Sequence, residues 1–98
     1  MVPEFEWDAL KAAENLKKHG VAFDEALTVF ADPLAKIFAD PDHSEAEARE
    51  LIIGHSANQR LLVVSFTERP PRTRIIGARK VTKSERRDYE ENTQKRTT

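Results

Sequence analysis

The sequence predicts an α+β protein, in which an antiparallel β-meander sheet of about four to five strands packs with two N-terminal helices and one C-terminal helix. Apolar residues recur at helical spacing in the first third of the chain, and β-branched segments separated by short turns follow in residues 50–79. A helix-capping sequence comes next, at residues 82–85. Because 98 residues hold one hydrophobic core, we expect a single domain over residues 1–98.

The chain opens with a candidate short strand at residues 5–7 and a helix over residues 9–19. Asp8 is placed to cap the start of this helix, and Gly20 can adopt the left-handed conformation that ends it. The side expected to be buried is a narrow apolar stripe of three residues, Leu10, Ala13 and Leu16.

A second, shorter helix is predicted over residues 24–31. Its apolar residues share one face, and Asp32-Pro33 ends the pattern. Residues 34–39 are apolar apart from Lys36, so we expect an edge strand there, followed by a turn at residues 41–44.

Three strands are predicted over residues 50–56, 61–68 and 73–79, because β-branched residues dominate each segment and the intervening turns suit hairpins. Residues 61–64 are apolar on both faces, which places the middle strand in the centre of the sheet.

The final helix starts at Thr82 and Glu85, a pair that can cap each other's backbone N–H groups. Tyr89 is its only large hydrophobic residue, so burial of an apolar face cannot be the main reason that it docks. We therefore expect polar contacts or a partner to hold it, and the polar tail at residues 92–98 to fray.

Composition narrows the possible chemistry. The chain has no cysteine, which excludes disulfides, thiolate zinc sites and cysteine nucleophiles. No apolar run could span a bilayer and no signal peptide is visible, so the expected location is cytoplasmic. The net charge of −1 conceals an acidic first half, residues 1–50 at −7, and a basic second half at +6. A basic face could attract a polyanion, although interleaved charges would serve solubility alone.

Many short strings, in order and at compatible spacing, resemble the BrnT family of toxins. The resemblance covers residues 5–91 and rests on Phe5-Glu6-Trp7-Asp8, Lys18-His19-Gly20-Val21, Phe23-Asp24-Glu25-Ala26, Asp32-Pro33, Pro41-Asp42-His43-Ser44, Thr67-Glu68-Arg69, Ala78-Arg79-Lys80 and Glu85-Arg86-Arg87-Asp88-Tyr89-Glu90. Three positions depart from the family pattern: Ala22, Phe66 and Gly77.

The resemblance implies a RelE-like fold and a ribonuclease that arrests translation as the toxin of a type II toxin–antitoxin pair. It also implies neutralisation by a ribbon-helix-helix antitoxin of the BrnA type, in a 2:2 assembly that contacts operator DNA only through the antitoxin. No membrane partner is implied.

RNA can be cleaved without a metal when its 2′-hydroxyl attacks the adjacent phosphate, so we expect no metal and no cofactor. Between Arg60 and Arg87 there are nine basic side chains and two acidic ones, which favours this region as the RNA-facing surface. The expected RNA-binding residues are Arg72, Arg74, Lys80, Lys83 and Arg86. Arg74 and Arg79 are separated by an odd number of residues, so they point to opposite faces of a strand unless a bulge or the strand end re-aims one.

Among the candidate catalytic residues, Arg79 would stabilise phosphate charge with a bidentate guanidinium near the N-terminus of the last helix. Tyr89 would stack on a base or donate a proton, and Glu68 with Arg69 would pair a base with a cation. His43 would act as acid or base if its loop folds over the basic surface. His19 is expected to satisfy a helix end, and His55 to face the core or a neighbour.

Each assignment has a structural alternative. Arg79 and the Glu68–Arg69 pair could be surface ion pairs, and Tyr89 could simply anchor the last helix to the sheet. The whole chain could also be a non-catalytic RNA- or protein-binding module on the same scaffold. In a third reading, the last helix is chiefly a docking element for the antitoxin.

Overall fold

Five strands form one sheet in the order β1-β5-β4-β3-β2 in a computed structural model that describes residues 4–40 and 48–97, with side chains as far as residue 91. The strands are β1 (Glu4–Glu6), β2 (Lys36–Ala39), β3 (Arg49–His55), β4 (Leu61–Arg69) and β5 (Arg72–Lys80). Strands β2 to β5 form the predicted antiparallel meander, with the apolar β4 at its centre.

The first strand departs from the prediction. β1 lies one residue earlier than expected and pairs in parallel with the first part of β5, from Glu4 beside Arg72 to Glu6 beside Arg74. The following helix, α1 (Ala9–His19), continues along the second part of the same strand. From β1 through α1, the chain runs in the same direction as β5, so β1 and β5 form a parallel pair.

Both ends of α1 follow the prediction. The Asp8 carboxylate accepts hydrogen bonds from the backbone N–H groups of Leu10 and Lys11, at 2.8 and 3.1 Å. Gly20 ends the helix with φ at 71°, in the left-handed region, and donates its N–H to the carbonyl of Leu16.

The predicted buried stripe of α1 is wrong. The side chains of Leu10 and Leu16 are 76 % and 51 % exposed, and none of the helix is fully buried. The helix docks through a polar residue instead: the Asn15 amide bonds both the N–H and the C=O of Ala78 and also the carbonyl of Val21, at 2.9 to 3.1 Å. Asn15 thereby satisfies the backbone N–H and C=O groups of Ala78 on the edge of β5, as a neighbouring strand would. With Asn15 facing β5, Leu10 and Leu16 face solvent.

The second helix is shorter than predicted. It is α-helical over α2 (Phe23–Ala26) and becomes a 3₁₀ helix over Leu27–Ala31. The Thr28 hydroxyl donates to the carbonyl of Glu25 at 2.6 Å, and such side-chain bonds compete with regular helical pairing. The edge strand also starts two residues late, because the Asp32 carboxylate accepts the N–H of Leu34 and holds that residue in a turn.

Helices cover one face of the sheet and part of the other. One face packs against α2 and the 3₁₀ helix around the core residues Val21, Phe23, Ala26, Val29, Ile52, Leu62, Val64, Phe66, Ile75 and Ala78. The other face carries a smaller cluster of Ile53, Leu61 and Val63, which is covered by Tyr89 of α3 (Lys83–Thr97). The rest of that second face holds the candidate site.

Candidate functional site

A bulge in β5 decides which basic residues lie together. Ser65 of β4 pairs with Gly77, but the next residue of β4 pairs with Ile75, so Ile76 is an extra residue without a partner. Arg74 therefore lies beside Thr67 and Arg79 beside Val63, two positions four residues apart on β4. Residues at such positions share a face, so the bulge brings these two arginines to the same side of the sheet.

Three further arginines lie on that face by the same register. Arg72 pairs with Arg69, two residues beyond Thr67, and Arg49 of β3 pairs with Thr67 itself. We call this surface the arginine face; its arginines are Arg49, Arg69, Arg72, Arg74 and Arg79. It is the same side of the sheet on which α3 packs at one end, and sequence reasoning missed Arg49 because its strand was predicted to begin one residue later.

Carboxylates of β1 balance part of this charge. Arg74 donates to Glu6 at 2.8 Å, and Arg72 lies 3.8 Å from Glu4 and 3.9 Å from Glu6. The side chains of Arg72 and Glu4 are more than half exposed. An exposed ion pair such as that of Arg72 and Glu4 contributes only about 0–1 kcal/mol, so a phosphate can replace the Glu4 carboxylate at little cost.

Arg79 is held more firmly, at the start of α3. Its two terminal nitrogens donate to the two carboxylate oxygens of Glu85 at 2.8 and 2.9 Å. Glu85 also accepts the N–H of Thr82, whose hydroxyl accepts the N–H of Glu85, so the predicted capping box is confirmed. The Arg79 guanidinium, together with these capping bonds, lowers the pKa of Glu85 to about 2. Through this pair β5 supplies the polar docking that α3 needs.

Tyr89 provides the second anchor of α3 and is 5 % exposed. Its hydroxyl donates to Asp32 at 2.8 Å and lies 3.3 Å from Nδ1 of His55. Burial, reinforced by the bond to the Asp32 carboxylate, raises the pKa of Tyr89 to about 12. The phenol is therefore firmly protonated at neutral pH and engaged inside the protein. The His55 side chain was expected to face the core or a neighbour, and its ring packs edge to face against Tyr89 while 43 % of the side chain stays exposed.

The remaining candidates do not converge on Tyr89. Glu68 pairs with Thr73 and accepts its hydroxyl at 2.9 Å, on the face opposite the arginines, and Arg69 is at the hairpin end of β4. Tyr89 packs at the other end of that strand beside Leu61, and nine strand residues span roughly 26 Å. Glu68 and Arg69 therefore cannot act with Tyr89 on one phosphate.

The other predicted RNA-binding residues form a separate group. Lys80 pairs with Leu62 and so lies on the face opposite Arg79. It lines a small cavity with Arg60 and Arg86, at the end of the sheet near the start of α3. Lys83 is exposed in the first turn of that helix, and His43 lies outside the described residues.

A cleft of about 260 Å³ opens beside Arg79 on the arginine face. Its lining residues are Asn15, His19, Asp40, Leu51, Val63, Ser65, Gly77, Ala78 and Arg79. His19 enters this lining because it lies one helical turn beyond Asn15, the residue that fixes α1 to β5. Sequence reasoning assigned His19 only to the helix end, since nothing local indicated that α1 runs along β5.

Among residues 4–40 and 48–91, no three histidine or carboxylate side chains are grouped so that they could hold a metal ion. No helix in the described part of the chain is long and apolar enough to cross a membrane.

The fold and the arginine face define a small α+β protein with a cationic sheet face suited to a polyanion. Comparison with known families gives a match over residues 7–85 to the family described as "Ribonuclease toxin, BrnT, of type II toxin-antitoxin system". This match covers most of the chain, which therefore belongs to the BrnT ribonuclease toxin family.

Among solved structures, the chain is similar to the 1.1 Å crystal structure of the Brucella abortus ribonuclease toxin BrnT, with a TM-score of 0.64 and 22 % sequence identity. The alignment covers 84 % of this chain and 100 % of that one. At this identity the likeness shows the fold. No curated protein sequence matches the chain.

Proposed function

We propose that this chain is an endoribonuclease that binds RNA along the arginine face and cleaves it without a metal ion. The observation that carries the proposal is the bulge at Ile76, which puts Arg72, Arg74 and Arg79 on one side of β5. Strand residues on one face repeat at roughly 7 Å, which is close to the distance between neighbouring phosphates of an extended RNA strand. Arg72 and Arg74 can therefore meet successive phosphates, and Arg79, four positions of β4 beyond Arg74, can meet a phosphate further along the strand.

Cleavage would begin at the 2′-hydroxyl, which attacks the neighbouring phosphorus and needs the growing negative charge to be neutralised. A guanidinium suits this task, since it keeps its proton and offers two parallel donors. Arg79 already presents two donors to the Glu85 carboxylate, a planar anion that a phosphate can replace. Arg69, Arg72 and Arg74 would position the strand, and Lys80, Lys83 and Arg86 would extend the path around the start of α3.

Family membership supports the biological setting that we propose. As a type II toxin, the protein would inhibit translation in the cytoplasm by cleaving RNA. We propose a ribbon-helix-helix antitoxin of the BrnA type as its partner, in a 2:2 assembly in which the antitoxin alone contacts operator DNA. The neighbouring open reading frame should then encode a small protein of that class.

RNA cleavage in the presence of EDTA tests the enzyme, and Arg74→Ala tests the face. We expect the wild type to form products with EDTA present, and Arg74→Ala to weaken RNA binding and to flatten its salt dependence by about one phosphate contact. Lys17→Ala is the matched control, because it removes one exposed positive charge from α1 on the side away from β5.

Two results would overturn the proposal. Equal losses in Arg74→Ala and Lys17→Ala would mean that net charge, and not this face, attracts RNA. Salt-sensitive RNA binding by the wild type without any product would leave the non-catalytic binding module as the function.

A further inference from the structure

Three polar side chains from distant parts of the chain meet where β3 ends, next to α3. Tyr89 donates its hydroxyl to Oδ2 of Asp32 at 2.8 Å, and Nδ1 of His55 lies 3.3 Å from the same hydroxyl. The rings of His55 and Tyr89 pack edge to face with centroids 5.4 Å apart. The side chain of Asp32 is only 9 % exposed, whereas that of His55 is 43 % exposed. In this cluster the Asp32 carboxylate is buried, and the His55 imidazole is accessible to solvent.

The hydrogen bonds define which imidazole nitrogen carries a proton. The Asp32 carboxylate can only accept, so the proton of the Tyr89 hydroxyl is committed to it. The tyrosine oxygen then has lone pairs but no proton to offer, and the 3.3 Å contact is satisfied when Nδ1 of His55 donates. In the neutral ring this leaves the lone pair on Nε2. Nε2 is therefore the nitrogen that is available to accept a proton.

The backbone is built to hold Asp32 in this place. Its Oδ2 also accepts the backbone N–H of His55 at 2.7 Å, and its Oδ1 accepts that of Leu34 at 2.9 Å. These bonds and that of Tyr89 outweigh burial, so the pKa of Asp32 is lowered and the group stays ionised. Gly54 makes the approach possible, because a Cβ there would lie 3.0 Å from Oδ2.

A substrate can reach His55, and a cation is near. The ring borders a cavity of about 610 Å³, whose mostly apolar lining includes Phe5 and Phe30 on the side of the sheet that the 3₁₀ helix covers. Lys36 of β2 is exposed and pairs with Ile53, two residues before His55, so it is a diagonal neighbour of His55 on the same face, roughly 7–8 Å away. Lys36 lines a second cavity together with Tyr89 and with Glu85, the carboxylate that Arg79 binds. A phosphate that replaces Glu85 at Arg79 would therefore enter the cavity that Lys36 lines, next to Tyr89, against which the His55 ring packs.

We propose that His55 is a catalytic residue that takes the proton of the RNA 2′-hydroxyl on Nε2, and that Tyr89 and Asp32 are positioning residues. This inference rests on the proposed ribonuclease function. As the proton moves to Nε2, the bond from O2′ to phosphorus forms and that from phosphorus to O5′ breaks. The leaving O5′ takes a proton from water, and the imidazolium returns its proton to the resulting hydroxide. The products are a 2′,3′-cyclic phosphate and a 5′-hydroxyl end.

The first test is His55→Ala in a cleavage assay on a short RNA. Proton transfer by a positioned base contributes roughly 10²- to 10⁴-fold, so we expect a loss of that size, partly restored by added imidazole. The fold should persist, because the bond to Asp32 uses the backbone N–H of residue 55. Cleavage that survives in His55→Ala overturns the inference alone. A wild type that never cleaves RNA overturns the proposed function and this inference with it.

The second test is independent of activity. Nitrogen NMR of the His55 ring in the wild type should show a proton on Nδ1 and none on Nε2 for the neutral form. Tyr89→Phe keeps the buried ring but removes the hydroxyl, so the tautomer should no longer be fixed and cleavage should fall. A wild-type ring protonated on Nε2, or the same tautomer and rate in Tyr89→Phe, would remove the positioning role.

Discussion

Glu25 is a buried carboxylate that ties α2 to the turn between β3 and β4. Its side chain is 8 % exposed and receives a bidentate contact from the Arg60 guanidinium, including Nε at 2.9 Å. The Ser56 hydroxyl donates to the same carboxylate at 2.7 Å. The bond from Arg60 is the largest cause of a shift that lowers the pKa of Glu25 to about 2 from an ordinary value of 4.5.

The substitution Glu25→Gln removes the charge and keeps the shape. A carboxyl whose pKa falls from 4.5 to about 2 on folding contributes about 3 kcal/mol at neutral pH, at roughly 1.4 kcal/mol per pKa unit. The Arg60 side chain is 32 % exposed, so water screens part of this term, and we expect a loss of about 2–3 kcal/mol. Because the pKa is lowered by folding, this stability is present above pH 4.5 and is lost as the pH falls toward 2.

Urea unfolding of the wild type and of Glu25→Gln, measured between neutral pH and about pH 3.5, tests this reasoning. The difference in the free energy of unfolding should shrink by about 1 kcal/mol over that range, since the wild type alone loses this term. Glu14→Gln, on the exposed side of α1, is the matched control and should change little at any pH. A difference that stays constant with pH would show that Gln fails for reasons of packing and not of charge.

Three other predictions concern stability and titration. Gly54→Ala should lower the free energy of unfolding by about 1–3 kcal/mol, because the added Cβ would lie 3.0 to 3.1 Å from Asp32 and two apolar side chains. An unchanged urea midpoint would mean that these neighbours move aside without cost. Leu10→Ser should lower stability by less than about 0.5 kcal/mol, since Leu10 is 76 % exposed, and Leu16→Ser by about 1 kcal/mol, since Leu16 is 51 % exposed. A loss of about 2 kcal/mol or more in either variant would mean that the leucine stripe is buried after all. Tyr89 is the only tyrosine, so the ultraviolet absorbance of its phenolate should stay flat through pH 10 and rise toward pH 12, and Asp32→Asn should lower that midpoint. Since folding raises this pKa, the stability that it contributes is complete below pH 10 and is lost as the pH rises through about 12; ionisation near pH 10 in the folded protein would contradict the hydrogen bond to Asp32.

Local signals predicted much of the fold. The caps at Asp8 and Gly20 and the box of Thr82 and Glu85 depend on neighbouring residues alone, and the structure contains all of them. The central position of β4 followed from four apolar residues in a row. Long-range contacts explain the failures. Apolar periodicity indicated that α1 buries its leucines, but the helix docks through Asn15, whose partner Ala78 is 63 residues away.

The same distinction explains which parts of the candidate site could be found. Residue types and their order identified the arginines of β5 and Tyr89, but the partners of Tyr89 come from the end of the 3₁₀ helix and the end of β3. His55 appeared to be an ordinary strand residue, because no neighbouring residue in the sequence indicates that Asp32 packs against it. A proton-transfer group whose positioning residues are 23 and 34 positions away leaves no local pattern.

The arginine face depends on two neighbouring residues that carry no charge. Arg74 and Arg79 have the wrong parity for a regular strand, and the sequence alone left open whether a bulge joins them. Ile76 supplies it, next to Gly77, where an added Cβ would lie 3.1 Å from the hydroxyl of Ser65. The glycine thus gives the irregular strand room against β4 at the point where it changes register. The charge pattern indicates which side chains could bind phosphate. The backbone geometry at Ile76 and Gly77 determines that these side chains lie on the same face of the sheet.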